Sequence, residues 1–234
     1  MPRVAYSACV TPSALPDGEP APDDGALPAS ALAEVGARGL SAYVHVPFCA
    51  TRCGYCDFNT YTAAELGSAP GASREAYLES VAREVALARG VLGDPPPFAT
   101  VFFGGGTPTL LDPAEQGGIL ARLRDEFGLA PDAEVTTEAN PDSVTPASLE
   151  RLVEAGFTRI SFGMQSSAPH VLRMLERTHT PGRALEAVRW AREAGFSSAS
   201  LDLIYGTPTE TLDDWRATVE DALTADPDHV SAYS

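Results

Sequence analysis

From about Leu40 onward the chain alternates short runs of β-branched and aromatic residues with longer stretches whose apolar positions recur every three or four residues. The short runs predict strands over 42–46, 100–103, 134–138, 159–163, 199–205 and 229–233. Between the first two, Tyr77, Val81, Val85, Ala88 and Leu92 fall on one helical face, so that face is apolar and suited to packing on a sheet. Later helices are marked at their starts. Asp112-Pro113 followed by Glu115, Thr145-Pro146 and Thr180-Pro181 each put a capping oxygen before a proline at the first helical position, and Thr211 with Asp214 reads as a capping box. Glu154-Ala-Gly-Phe157 and Glu193-Ala-Gly-Phe196 recur 39 residues apart, each placing glycine just past a helix and leading into a strand.

That spacing is one strand-plus-helix period, which predicts an α/β fold: a parallel sheet wound as a barrel or partial barrel. Residues 1–37 carry prolines at 2, 12, 16, 20, 22 and 28 and no apolar periodicity, and are expected to form a disordered Pro/Ala-rich tail. Residues 38–234 are expected to form one catalytic-type core domain. The last strand pattern stands at the end of the chain, so the core is expected to be truncated after its sixth strand, with a C-terminal domain absent.

Composition narrows the function. A formal net charge of −16, from 32 acidic and 16 basic residues, leaves too few cations to neutralise a phosphate backbone, so nucleic acid is not the expected partner. All sixteen basic residues are arginine, which excludes a Walker A phosphate loop and a lysine Schiff base. No run approaches the ~18 apolar residues of a membrane span, and no secretory leader is recognisable at the N-terminus. A cytoplasmic location is expected. Three of the four cysteines crowd into one loop, which suits metal binding in a reducing compartment better than a disulfide framework.

Those three, Cys49, Cys53 and Cys56, are the sharpest chemical signal in the chain. Three thiolates on one loop would hold three irons of a [4Fe-4S] cluster and leave the fourth open to an outside ligand. A zinc site recruiting His45 as a fourth ligand is the competing reading, and a loop without metal is the third. Gly104-Gly-Gly-Thr-Pro-Thr109 is neither a dinucleotide fingerprint nor a phosphate loop, but three glycines let backbone groups approach a small ligand closely. Glu138 ends an apolar strand and Asp202 interrupts another, so each carboxylate needs a partner. For Asp202 that partner is either a ligand or an internal salt bridge.

The Cys-x3-Cys-x2-Cys spacing resembles the signature of the radical S-adenosylmethionine (SAM) superfamily. Together with Tyr43-Val-His-Val-Pro-Phe-Cys49, Phe103-Gly-Gly-Gly-Thr-Pro-Thr109 and Asp202-Leu-Ile-Tyr-Gly206, it resembles the branch of oxygen-independent coproporphyrinogen III oxidases and HemW-type haem chaperones. The resemblance implies a partial (β/α)6 TIM-type barrel holding a [4Fe-4S] cluster on Cys49, Cys53 and Cys56. It implies SAM contacts at Tyr43, Tyr55, Gly105, Gly106, Thr107, Glu138, Gln165, Arg177 and Asp202. In the oxidases a further cysteine follows two positions after the third. Phe58 stands there in this chain, which points to the chaperone side. The expectation is therefore a cluster- and SAM-binding protein that carries haem to a recipient haemoprotein, served by an electron donor such as flavodoxin or ferredoxin if SAM is cleaved. Coproporphyrinogen oxidation, an enzyme activity in porphyrin metabolism, is the alternative, and a zinc-stabilised binding module is the second. The resemblance assigns no catalytic residue.

Overall fold

The computed structural model describes residues 22, 24–37, 39–68 and 72–234. Its centre is a parallel sheet of six strands: β1 (Leu40–Val46), β4 (Phe98–Gly105), β5 (Leu129–Ala139), β6 (Arg159–Gln165), β7 (Ser198–Ile204) and β8 (His229–Tyr233). Each pairs with the next in that order, all in parallel. The crossovers carry α3 (Arg74–Leu92), α4 (Pro113–Phe127), α5 (Pro146–Ala155), the short α6 (Pro169–Met174) with α7 (Arg183–Ala194), and α8 (Leu212–Thr224). Sequential parallel pairing with a helix in every crossover is the winding of a barrel, here left open between β1 and β8. All six predicted strands are present.

Strand periodicity sorts the side chains. Val101, Phe103, Val135, Ile160, Phe162, Leu201 and Leu203 form a buried apolar layer with helix residues such as Leu120, Leu149, Leu152, Val188 and Ala191. The alternate positions are polar, with Glu138 beside Ser161, Ser161 beside Ser200, and Gly163 beside Asp202. One sheet face is thus a hydrophobic core and the other a polar concavity.

Local signals explain most helix boundaries. Asp112, Thr145 and Thr211 each make a reciprocal capping box, and Gly156 and Gly195 end their helices at φ 108° and 100°. Phe157 and Phe196 then donate backbone N–H bonds back to Leu152 and Ala191. Thr180-Pro181 behaves differently from the expectation. The backbone N–H and hydroxyl of Thr180 both donate to Asp142 Oδ2, at 2.7 and 3.1 Å, so Thr180 is spent on a tertiary contact and α7 starts later, after Gly182. Thr145→Ala is expected to cost about 1 kcal/mol and to lower the melting temperature by about 2–4 °C, read by calorimetry.

The stretch expected to be a disordered tail lies largely outside the described residues. Within it, α1 (Ala29–Glu34) is a short helix with no buried side chain. A methyl group at Gly25 would stand 3.2 Å from Leu87, and one at Gly36 3.3 Å from Pro96, so this segment runs over α3 and the turn that follows it. A second small feature had no signal in the periodicity: β2 (Phe48–Cys49) and β3 (Tyr61–Thr62) form a two-residue parallel ladder, and α2 (Ala63–Leu66) follows it. No described helix is long and apolar enough to cross a membrane.

Candidate functional site

The ladder of β2 and β3 closes the loop that carries the cysteines. Cys49 sits in β2 itself, paired with Thr62, while Cys53 and Cys56 share a turn in which the Cys56 N–H donates to the Cys53 carbonyl at 3.2 Å. Arg52 braces this loop: its guanidinium donates to the Thr60 carbonyl and pairs with Glu65 at 3.4 Å. The middle of the loop is tied to the barrel by Gly54, whose N–H donates to the Leu175 carbonyl at 3.1 Å.

The glycine loop after β4 is fastened to the same segment. Gly106 and Thr107 donate their N–H groups to the carbonyls of Val46 and Phe48, at 2.8 and 2.7 Å. A methyl group at Gly106 would lie 2.5 Å from the Phe48 oxygen and 3.0 Å from Cys49 Sγ, and Gly105 has φ 109°. No residue with a Cβ fits at Gly106 without moving the chain that presents Cys49.

All three thiols open on a cavity of about 680 Å³ at the C-terminal ends of the strands, within the usual range of roughly 300–1,000 Å³ for small-molecule sites. Tyr55, Gly105, Gly106, Thr107, Glu138, Gln165, Arg177 and Asp202 line the same cavity. Tyr43 does not. It is 59% exposed, bonded through its hydroxyl to His45 and stacked near Phe102. His45 is held away from the thiols as well: its Nε2–H donates to the Asn59 carbonyl at 2.8 Å and its Nδ1 accepts from Tyr43 at 3.0 Å. The Cys3His zinc arrangement is therefore not formed. Among the described residues no three His, Cys, Asp or Glu side chains gather closely enough to hold a metal ion. A cluster asks for something else, since each thiolate binds a different iron and the cluster's own width keeps the sulfurs apart.

The polar floor has its own logic. Asp202 accepts from the Ser161 hydroxyl at 3.0 Å, Ser200 donates to Ser161 at 2.7 Å, and Arg159 donates to Ser200 at 3.0 Å. Asp202 thus makes no internal salt bridge: it accepts from the Ser161 hydroxyl, and Arg159 stands two hydroxyls away, beyond Ser200. Burial nevertheless raises the Asp202 carboxyl, while Ser161, Ser231, Arg159 and His229 pull it back. Glu138 is pushed up to about 7, first by burial and then by the like charge of Asp202, with the Gly105 N–H as a partial offset. Burial also pushes the Cys49 thiol up; the neighbouring thiols add to this, and hydrogen bonds from Thr60 and Thr107 oppose it. Gln165 closes β6 at a bulge with φ 64°, buried against the cavity. A non-glycine residue held there costs on the order of 1–3 kcal/mol, the kind of strain that gathers at ligand sites.

His179 had no usable spacing in the sequence, yet it is buried in the wall of this cavity beside Arg177. Only the turn after α6 brings it there, so no local pattern could have found it.

The family model of the Radical SAM superfamily matches residues 43–222. The chain is 51% identical over 203 residues to the haem chaperone HemW of Mycobacterium tuberculosis, covering 87% of this chain and 51% of that protein. It is 36% identical to HemW of Bacillus subtilis, over 83% of this chain and 50% of that one, and 34% identical to the oxygen-independent coproporphyrinogen III oxidase of Pseudomonas aeruginosa, over 83% and 42%. Among solved structures, coproporphyrinogen III oxidase (HemN) from Escherichia coli superposes with a TM-score of 0.77 at 30% identity, over 87% of this chain and 46% of that chain. The chain spans about half the length of the curated relatives it matches.

Proposed function

The chain belongs to the radical SAM superfamily, and on that footing we propose that it is the cluster- and SAM-binding part of a haem chaperone. The observation that carries the reading is convergence: three thiols, a glycine cradle pressed against one of them, and a carboxylate–amide–guanidinium set all face one cavity. Cys49, Cys53 and Cys56 would hold a [4Fe-4S] cluster, and the donor set fits it, with three soft ligands and none supplied at position 58. Phe58 is 64% exposed at the cavity rim. When bound, such a cluster supplies one electron and an iron with a free coordination position.

The chain's own residues do the rest. Gly105 and Gly106 pack directly on His45, Val46 and Phe48, which brings the cavity-lining backbone of Gly105, Gly106 and Thr107 up against Cys49. Glu138, which accepts from the Gly105 N–H, and Asp202 line the same cavity with carboxylates suited to the ammonium and sulfonium of SAM. Arg177 uses one N–H of each of its three nitrogens inside the protein and keeps two N–H groups for a carboxylate. Tyr55 and Gln165 complete the wall.

The haem cargo is supported by the names of the relatives of highest identity quoted above, and by Phe58 in place of the oxidase cysteine. A recipient haemoprotein, an electron donor such as flavodoxin or ferredoxin if SAM is cleaved, and a cytoplasmic setting go with that reading. Anaerobically reconstituted protein is expected to develop a Soret band on titration with haem. Incubated with coproporphyrinogen, SAM and a low-potential reductant, it is expected to yield no vinyl-bearing product. Conversion to protoporphyrinogen would overturn the chaperone reading in favour of the oxidase.

A further inference from the structure

Arg177 makes three hydrogen bonds in three directions. Its Nη2 donates to the Gly163 carbonyl at 3.0 Å, its Nη1 to Cys53 Sγ at 3.3 Å, and its Nε to His179 Nδ1 at 3.3 Å. Gly163 makes room for it, since a methyl group there would stand 2.8 Å from Arg177 Nη2 and 2.7 Å from Gln165 Nε2. The backbone N–H of Arg177 is anchored on the Leu172 carbonyl at 2.8 Å, and the neighbouring Leu175 carbonyl receives the N–H of Gly54, the residue after Cys53. Guanidinium and sulfur are thus positioned by the same turn.

Bonds at Nη1 and Nη2 leave a guanidinium able to rock about the line joining them, and a third bond at Nε opposes that motion. Gly163 fixes one corner of the fork; His179 fixes the hinge. The imidazole is 6% exposed, and burial together with the Arg177 charge brings its pKa down to about 4, so the neutral ring presents a lone pair at Nδ1 near neutral pH. We infer that His179 is a positioning residue: by accepting from Arg177 Nε it holds the Arg177 Nη1–H on the sulfur of Cys53, and through that bond raises the reduction potential of a cluster bound there. Hydrogen bonds to a cluster's sulfurs stabilise the extra negative charge of the reduced form. A donor held firmly in place does so more than one that swings away.

The inference rests on the cluster reading above, and a potential separates the two where turnover would not. His179→Phe keeps the ring volume and removes the acceptor; His179→Asn restores an acceptor oxygen. In an anaerobic, EPR-monitored redox titration of the reconstituted chain, His179→Phe is expected to lower the reduced-to-oxidised ratio about tenfold at a fixed solution potential, which for one electron is ~59 mV. His179→Asn is expected to stay close to wild type. In an Arg177→Gln background, His179→Phe is expected to add nothing. An unchanged potential in His179→Phe, an equal shift in His179→Asn, loss of cluster uptake in both, or a further shift in the Arg177→Gln background each overturns the positioning role while the cluster reading stands. A wild-type chain that takes up no cluster overturns both.

Discussion

Cys53→Ala is expected to abolish assembly of the [4Fe-4S] cluster and to leave the chain folded. Iron per chain after anaerobic reconstitution falls to background, the EPR signal of the reduced cluster disappears, and the far-ultraviolet circular dichroism stays as it was. The separation of effects follows from where the sulfur sits. Cys53 is only half buried, in a turn outside the apolar layer, so the core loses nothing when the sulfur is removed. On the proposed ligation the cluster loses one of three thiolates, and two thiolates on a mobile iron–sulfur unit are not enough to retain it. Cys49→Ala and Cys56→Ala carry the same expectation. Cys9, outside the described residues, serves as the control: Cys9→Ala is expected to load normally. A Cys53→Ala chain that retains a full cluster would show that a different set of ligands holds it.

Between about pH 4.5 and 7 the ligand-free chain is expected to lose stability relative to Glu138→Gln, by about 3 kcal/mol in all. The sign follows from the direction of the shift. Folding raises the Glu138 carboxyl from its ordinary 4.5 to about 7, so between those values the folded chain holds a proton that the unfolded chain has released. Raising the pH through that window therefore favours the unfolded state, and the contribution, complete below pH 4.5, is gone once the pH passes about 7. Asp202 ionises before Glu138, helped by Ser161 and the positive Arg159, and its charge then opposes the second ionisation. Glutamine keeps an oxygen for the Gly105 N–H but carries no charge, so urea denaturation of the two proteins at pH 5 and pH 8 isolates the carboxylate. Parallel stability curves would show that Glu138 ionises normally and that the wall is wetter than its burial implies. A cation bound beside this carboxylate reverses the balance: SAM binding near pH 6.5 is expected to release protons, seen as a dependence of the binding enthalpy on buffer ionisation heat.

Much of this architecture is legible before folding because it depends on neighbours in sequence. A strand such as 159–163 declares itself by alternation and β-branching. The ends of α5 and α7 declare themselves through Gly156 and Gly195, where a left-handed residue is needed to stop a helix. The elements that were not legible are those decided by partners far away in the chain. Thr180 turns its N–H and hydroxyl to Asp142, from the turn after β5, and α7 begins only after Gly182. The two-residue ladder of β2 and β3 is too short for any period to register and exists because Tyr61 returns to the Pro47 carbonyl.

The site divides along the same line. Three cysteines in eight residues mark a candidate soft-metal loop by their spacing, but the choice among cluster, zinc and no metal needed the flanking motifs as well. Glu138 and Asp202 were visible as charges interrupting apolar strands. What the residues could not say was which way His45 and Tyr43 would turn. Both lie next to the cysteine loop in sequence, yet they bond each other and Asn59 and stay out of the cavity. His179, more than 120 residues from Cys53, reaches the wall through Arg177. Composition and period determined that this chain winds a parallel sheet with thiols at one end, because burial of apolar faces and closure of helix ends are local debts settled within a few residues. Which side chains meet those thiols was decided only by the tertiary structure, because a hydrogen bond forms over about 3 Å between groups whose separation along the chain has no bearing on it.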